Sequence, residues 1–191
     1  MRSRELSPRF RVVDAPVPPD ARTLVVLPSH AFGDGEHETT RMCVQAIGAL
    51  APSPPFRVLD VGSGTGILSI AAAKLGGTAV GVEIDEAANE AARANARASG
   101  VGPAVRFGTA WPEGAFELVV ANILRGVLVE LADKIVGRAA TRGVLVLSGL
   151  VSTDVPALVA VYAPRLGGAR PEIFERAEWR TLVWGLSGAV R

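Results

Sequence analysis

Three alternating glycines stand in Val58-Leu59-Asp60-Val61-Gly62-Ser63-Gly64-Thr65-Gly66-Ile67-Leu68, with an apolar run before them and a helix-forming segment, residues 70–75, after them. A glycine loop between a strand and a helix N-terminus lets a ligand approach bare backbone N–H groups. Gly62, Gly64 and Gly66 are therefore candidate cofactor-binding positions. About twenty residues on, Ala79-Val80-Gly81-Val82-Glu83 reads as a second apolar strand ending in a carboxylate. A carboxylate just past the second strand suits two adjacent ribose hydroxyls, so the pair implies an adenosine-containing cofactor. A Gly-rich turn in an ordinary α/β protein would show the same glycines. The acidic strand end is what separates the two readings.

The spacing narrows the cofactor. Dinucleotide sites use G-x-G-x-x-G, whose third glycine packs the helix close to the strand. Counted from Gly62 that position is Ile67, and counted from Gly64 it is Ser69. Neither fits. G-x-G-x-G with an Asp two residues before the first glycine instead resembles S-adenosylmethionine (SAM)-dependent methyltransferases.

Two further clusters carry candidate chemistry. In Ala31-Phe32-Gly33-Asp34-Gly35-Glu36-His37-Glu38-Thr39-Thr40, glycines flank an acid and a polar group opens a helix. Backbone N–H groups and the helix dipole favour an anion there, such as the carboxylate of a methionine moiety, and Thr40 could donate its hydroxyl to it. A capped helix start without a ligand is the plainer alternative. In Val119-Val120-Ala121-Asn122-Ile123-Leu124, an apolar strand ends abruptly in Asn. Ligands of open α/β sheets bind beyond the carboxyl ends of strands, which places Asn122 near Gly62 and near a transferable group. Its amide oxygen can accept from an amine and its NH2 can donate to a cofactor. Asn122 could also simply cap the helix that follows. Two histidines, His30 and His37, and one cysteine are too few ligands for a metal centre, so no metal is expected.

The elements that must hold these groups follow from periodicity. Strands are predicted at 23–27, 57–61, 79–83, 104–108, 116–121, 143–148, 171–176 and 180–185, and helices at 37–50, 67–76, 86–99, 124–138 and 152–164. Strand–helix alternation from Phe56 onward marks a mostly parallel sheet, and the last two strands, joined without a helix, give an antiparallel finish. The expected fold is α/β, the Rossmann-like seven-stranded SAM-dependent methyltransferase fold. Residues 1–22 read as irregular, with Phe10 to Val13 a candidate edge strand. Residues 1–30 are taken as an N-terminal extension with short strands, and 31–191 as the methyltransferase domain. Cys43, Ala46, Ile47 and Leu50 fall at i, i+3, i+4 and i+7, so Cys43 is a predicted core residue. The Ala-rich segment 87–98 reads as an exposed helix with Asp85 as its N-cap.

Composition excludes several classes. A net charge of +1 in 191 residues gives no electrostatic case for a nucleic-acid or membrane surface. A single cysteine excludes an internal disulfide and fits a reducing compartment, so cytoplasm is the expected location. No stretch approaches the roughly 18 apolar residues of a membrane helix.

Taken in order, A-F-G-x-G-x-H-x-T-T, V-L-D-V-G-S-G-T-G-I-L, G-V-E-I-D and A-N-I-L resemble the bacterial methyltransferases of lysine and α-amino groups in ribosomal protein L11. Leu147-Ser148-Gly149-Leu150 and Glu178-Trp179-Arg180-Thr181-Leu182 extend the resemblance, which covers roughly residues 23–185. It implies SAM contacts at Thr40, Gly62, Glu83 and Asn122, with Asn122 also facing the substrate amine as the catalytic residue. Ile84, directly after Glu83, and Thr109, directly after the 104–108 strand, join the expected cofactor set with Gly64 and Gly66. The implied partner is a protein substrate such as a ribosomal protein. Three departures stand out. The family's threonine between the two glycines is Asp34 here, and its second-strand Asp is Glu83. Only about thirty residues precede Ala31, too few for the separate domain by which the family presents its substrate. A small-molecule N-methyltransferase and a non-catalytic SAM-binding module remain as alternatives.

Overall fold

A computed structural model describes residues 1–186. In chain order the elements are β1 (Ser3–Ser7), β2 (Phe10–Val13), β3 (Thr23–Val25), α1 (Glu38–Leu50), β4 (Phe56–Val61), α2 (Ile67–Lys74), β5 (Gly77–Val82) and α3 (Glu86–Ala98). These are followed by β6 (Val105–Gly108), β7 (Phe116–Asn122), α4 (Arg125–Glu130), α5 (Ala132–Val136), β8 (Ala139–Val151), α6 (Val155–Arg165), β9 (Glu172–Arg176) and β10 (Trp179–Gly185). Seven strands form one sheet in the order β6-β5-β4-β7-β8-β10-β9. The pairs from β6 to β8 are parallel, and β10 runs antiparallel to both of its neighbours. This is the expected methyltransferase fold.

Side chains alternate across the central strands, as a sheet covered on both faces requires. Val58, Leu118, Val120 and Val146 face α1, α2 and α3, whereas Leu59, Val119, Ala121 and Leu145 face α4, α5 and α6. The two cores clamp the sheet and leave the carboxyl ends of β4, β5 and β7 at one rim. The strand order reverses direction between β4 and β7, which is where such sheets open a crevice. Asp60 and Asn122 share the parity of Val58 and Val120 and so lie on the α1 side.

Several local readings changed. Residues 3–7 are a strand paired antiparallel with β2, and β2 pairs parallel with β3 in a separate three-stranded sheet. Only Leu6 in that segment is apolar, so no alternation was visible to read, yet Leu6 is buried. The helix expected over 124–138 is broken at Leu131 into α4 and α5. The helix 86–98 is capped by Asp85, which accepts from the Ala87 N–H at 2.9 Å. It is not exposed throughout: Ala88, Asn89, Ala92, Asn95 and Ala96 are buried, because alanine on a helix lets the sheet approach closely. Cys43 is buried, and burial pushes its thiol up to about 12, so it stays an inert core residue.

Candidate active site

The loop after β4 is held by hydrogen bonds to the end of β5 and within itself. Gly62 and Ser63 donate their N–H groups to Val82 O at 2.8 and 3.3 Å, and Gly66 donates to Ser63 O at 2.7 Å. Gly62 and Gly64 both have positive φ, at 71° and 50°. A Cβ on Gly62 would lie 2.2 Å from Ile123 Cγ2, and one on Gly64 would lie 2.3 Å from the Phe32 carbonyl oxygen. Glycine here thus lets the 123 turn and the 32 loop close against the same backbone. Beneath the loop, the fully buried Asp60 Oδ2 accepts from Ser69 N at 3.0 Å and Ser69 Oγ at 2.8 Å, tying β4 to the first turn of α2. Burial pushes the Asp60 carboxyl up to about 6; the Ser69 hydrogen bonds offset part of that and the Glu83 charge adds to it.

Glu83 stands just beyond β5. Its Oε2 accepts from the Gly64 N–H at 3.1 Å and its Oε1 from the Asp85 N–H at 3.1 Å, while Asn89 Nδ2 donates to its carbonyl at 3.0 Å. Each carboxylate oxygen keeps a second lone pair, so the group is fixed in place and still able to accept two hydroxyls.

On the other side, residues 31–36 lie against the glycine loop. Thr65 donates its N–H to Phe32 O at 2.9 Å and its hydroxyl to Gly33 O at 2.6 Å. His37 caps α1 through its Nδ1, which accepts from the Thr39 N–H at 3.3 Å and lies 2.8 Å from the Thr39 hydroxyl. The His37 ring meets Phe32 edge-on at 5.3 Å and Trp179 at 4.7 Å. These three rings make an aromatic ridge.

Together these parts enclose a cleft of about 570 Å³ over the strand ends. Glu83, Ile84, Ala88 and Trp111 line it together with His37, Thr39, Asn122 and Trp179, and Gly62 and Gly64 complete the lining beside them. Ile84 is 91% exposed, an apolar side chain held open over the cleft. The remaining expected positions lie elsewhere. Gly66 is the N-cap of α2 and packs on Phe107 and Ala92. Thr109 is exposed beyond β6 and does not line the cleft. Thr40 is buried one turn inside α1, and its hydroxyl has no partner; Thr39 is the threonine on the cleft wall. Among the described residues no group of three or more His, Cys, Asp or Glu side chains could hold a metal ion.

Trp111, Trp179 and His30 line the cleft without having been read as site residues. Trp179 lies 142 positions from His37, so nothing local announces the contact; the signal available was its place in the Glu178–Leu182 segment that extends the family resemblance. Trp111 follows β6 in an irregular stretch that carries no periodicity.

The family model described as "Ribosomal protein L11 methyltransferase (PrmA)" matches residues 8–185. The chain belongs to the ribosomal protein L11 methyltransferase family. Family members named ribosomal protein L11 methyltransferase are 42% identical over 181 residues in Syntrophotalea carbinolica and 39% over 166 residues in Thermus thermophilus. Those alignments cover 89% and 85% of this chain, but 57% and 64% of the relatives. The chain thus spans little more than half the length of the curated family members it matches. A crystal structure of ribosomal protein L11 methylase from Lactobacillus delbrueckii subsp. bulgaricus superposes with a TM-score of 0.84 at 27% identity, covering 98% of this chain and all of that one. A Thermus thermophilus 16S rRNA methyltransferase in complex with AdoMet and guanosine has a TM-score of 0.67 at 22% identity, a likeness of fold alone. Within the family's match, the glycine loop, Glu83 and Asn122 meet around one cleft.

Proposed function

We propose that the chain is a SAM-dependent N-methyltransferase acting on lysine or α-amino groups of a protein, with a ribosomal protein as acceptor and the cytoplasm as its place of work. The observation that carries this reading is the joining of Glu83, the glycine loop and Asn122 around one cleft at the strand-order reversal. The cleft suits SAM on its own chemistry. Glu83 offers free lone pairs for ribose hydroxyls, and Ile84 and the flat Trp111 ring offer apolar cover for a base. SAM, when bound, supplies a methyl group on a positively charged sulfur.

The chain's task is then to present a neutral amine. A free lysine, with a pKa near 10.4, is neutral in only about one of 2,500 molecules at pH 7, a cost of about 4.6 kcal/mol. Partial burial in the cleft and a neighbouring positive charge both lower that pKa. Asn122, half-buried at the end of β7, accepts an N–H through its amide oxygen and so aims the lone pair along the reaction line. His37 and Thr39, at the start of α1, line the same cleft.

The test is transfer of tritiated methyl label from SAM to protein extracted from cells that lack this gene. Label concentrated on one small ribosomal protein is the expected result. Label confined to non-protein material would redirect the reading to a small-molecule acceptor.

A further inference from the structure

Residues 31–36 bring Ala31 and Phe32 to the wall of the cleft, yet much of what fixes the segment comes from the N-terminal strand outside it. On the inner side Thr65 holds the Phe32 and Gly33 carbonyls. On the outer side Glu36 Oε1 accepts from Arg4 Nη2 at 2.6 Å and lies 3.5 Å from Arg2 Nη1. Gly35 tucks beneath β1 and β2, where an added Cβ would come within 3.1 Å of Val12 Cγ1 and 3.4 Å of Leu6 Cδ2. The β1 strand is itself tied to α1, because Arg41 and Gln45 donate to the Glu5 and Leu6 carbonyls at 3.2 and 2.9 Å.

Between these ties lies space. A cavity of about 180 Å³ separates the loop from Val13, Val26 and Leu27, with Arg2, Arg4 and Glu36 on its rim. A well-packed loop would be located by its neighbours' van der Waals surfaces. Here one flank borders that cavity, so the Arg4–Glu36 tie adds to the packing of Gly35 in deciding where the loop sits. Arg4 and Glu36 do not line the cleft, whereas Ala31 and Phe32 do.

We propose that the Arg4–Glu36 ion pair is a positioning contact for the cleft, holding residues 31–36 against the glycine loop in the arrangement that binds cofactor. The proposal rests on the methyltransferase reading above. Neither residue touches the ligand; both act through the Phe32–Thr65 contact. Their side chains are 33% and 49% exposed, so the pair is screened by salt and its effect belongs at low ionic strength.

The experiment is calorimetric titration of SAM into the full chain and into Arg4→Ala, Glu36→Ala, the double variant and Arg4→Lys, at low and high salt. Arg22→Ala is the control, because Arg22 pairs with Glu5 on the same strand without reaching residues 31–36. Expected are a roughly two- to five-fold weaker Kd (on the order of one exposed ion pair) in each alanine variant, and no further loss in the double variant. The loss shrinks at high salt, is largely restored in Arg4→Lys and is absent in Arg22→Ala. A SAM affinity unchanged in Arg4→Ala and Glu36→Ala, with the parent chain binding normally, would overturn this proposal alone. No binding by the parent chain would overturn the methyltransferase reading and this proposal with it.

Discussion

The Glu83 carboxylate accepts the Gly64 N–H at 3.1 Å, so the end of β5 closes the loop that follows β4. A side chain and a backbone group brought from neighbouring strands thereby share one edge of the cleft. The lone pairs that Glu83 keeps free point to a preformed acceptor that needs no reorganisation when hydroxyls arrive.

Replacing that acceptor tests it. Glu83→Gln is expected to weaken SAM binding about ten- to a hundred-fold, the range of a lost charge-assisted hydrogen bond. Titration calorimetry reads it, and Glu86→Gln, at an exposed neighbouring position, is expected to bind as the parent does.

Asn122 should separate binding from turnover. Asn122→Ala is expected to lose on the order of a hundred-fold in kcat and far less in SAM affinity, because its proposed part is to orient the amine. Single-turnover rates beside equilibrium binding would show the split, and methylation at the parent rate would remove Asn122 from the chemistry.

Asp60 predicts a pH signature. Its folded carboxyl titrates at about 6 against 3.8 for a free aspartate side chain, so between those values the folded chain binds more protons than the unfolded one. Stability from this group is therefore highest below the unfolded pKa and falls as pH rises through the window, by about 3 kcal/mol. Urea unfolding of the parent and of Asp60→Asn at closely spaced pH values should give a difference curve that slopes between pH 4 and 6 and is flat above pH 7.

Packing under the loop gives a stability test. A Cβ on Gly66 would meet Phe107 Cζ at 2.7 Å and Ala92 Cβ at 2.9 Å, with φ at +77°. Gly66→Ala should cost about 2–4 kcal/mol from strain and overpacking together. Gly126 has nothing within 4 Å of its added Cβ and a helical backbone. Gly126→Ala should instead stabilise the chain by about 0.4–1 kcal/mol, by restricting the unfolded state. Thermal unfolding of both variants checks the contrast.

Much of the sheet was legible because its strands are apolar runs bounded by turns, and Gly62, Glu83 and Asn122 each announce a strand end. The site's polar geometry was less so. Whether Thr39 or Thr40 faces the cleft depends on the rotation of α1, which is set by Cys43, Ala46 and Ile47 packing beneath it and cannot be read from two adjacent threonines. The Trp179–His37 contact joins the last strand to the first helix, and its partners meet only after the sheet is complete. The β1 strand stayed hidden because its pairing with β2 rests on backbone hydrogen bonds and a single buried leucine, a pattern too short for periodicity to show.

The most direct measurement is the intact mass of a purified ribosomal protein L11 incubated with SAM and this chain, beside the same reaction with Asn122→Ala. A gain of whole methyl masses with the parent chain, located on lysine or the α-amino group and lost with the variant, is the predicted result. An unmodified acceptor in the presence of demonstrated SAM binding would contradict it.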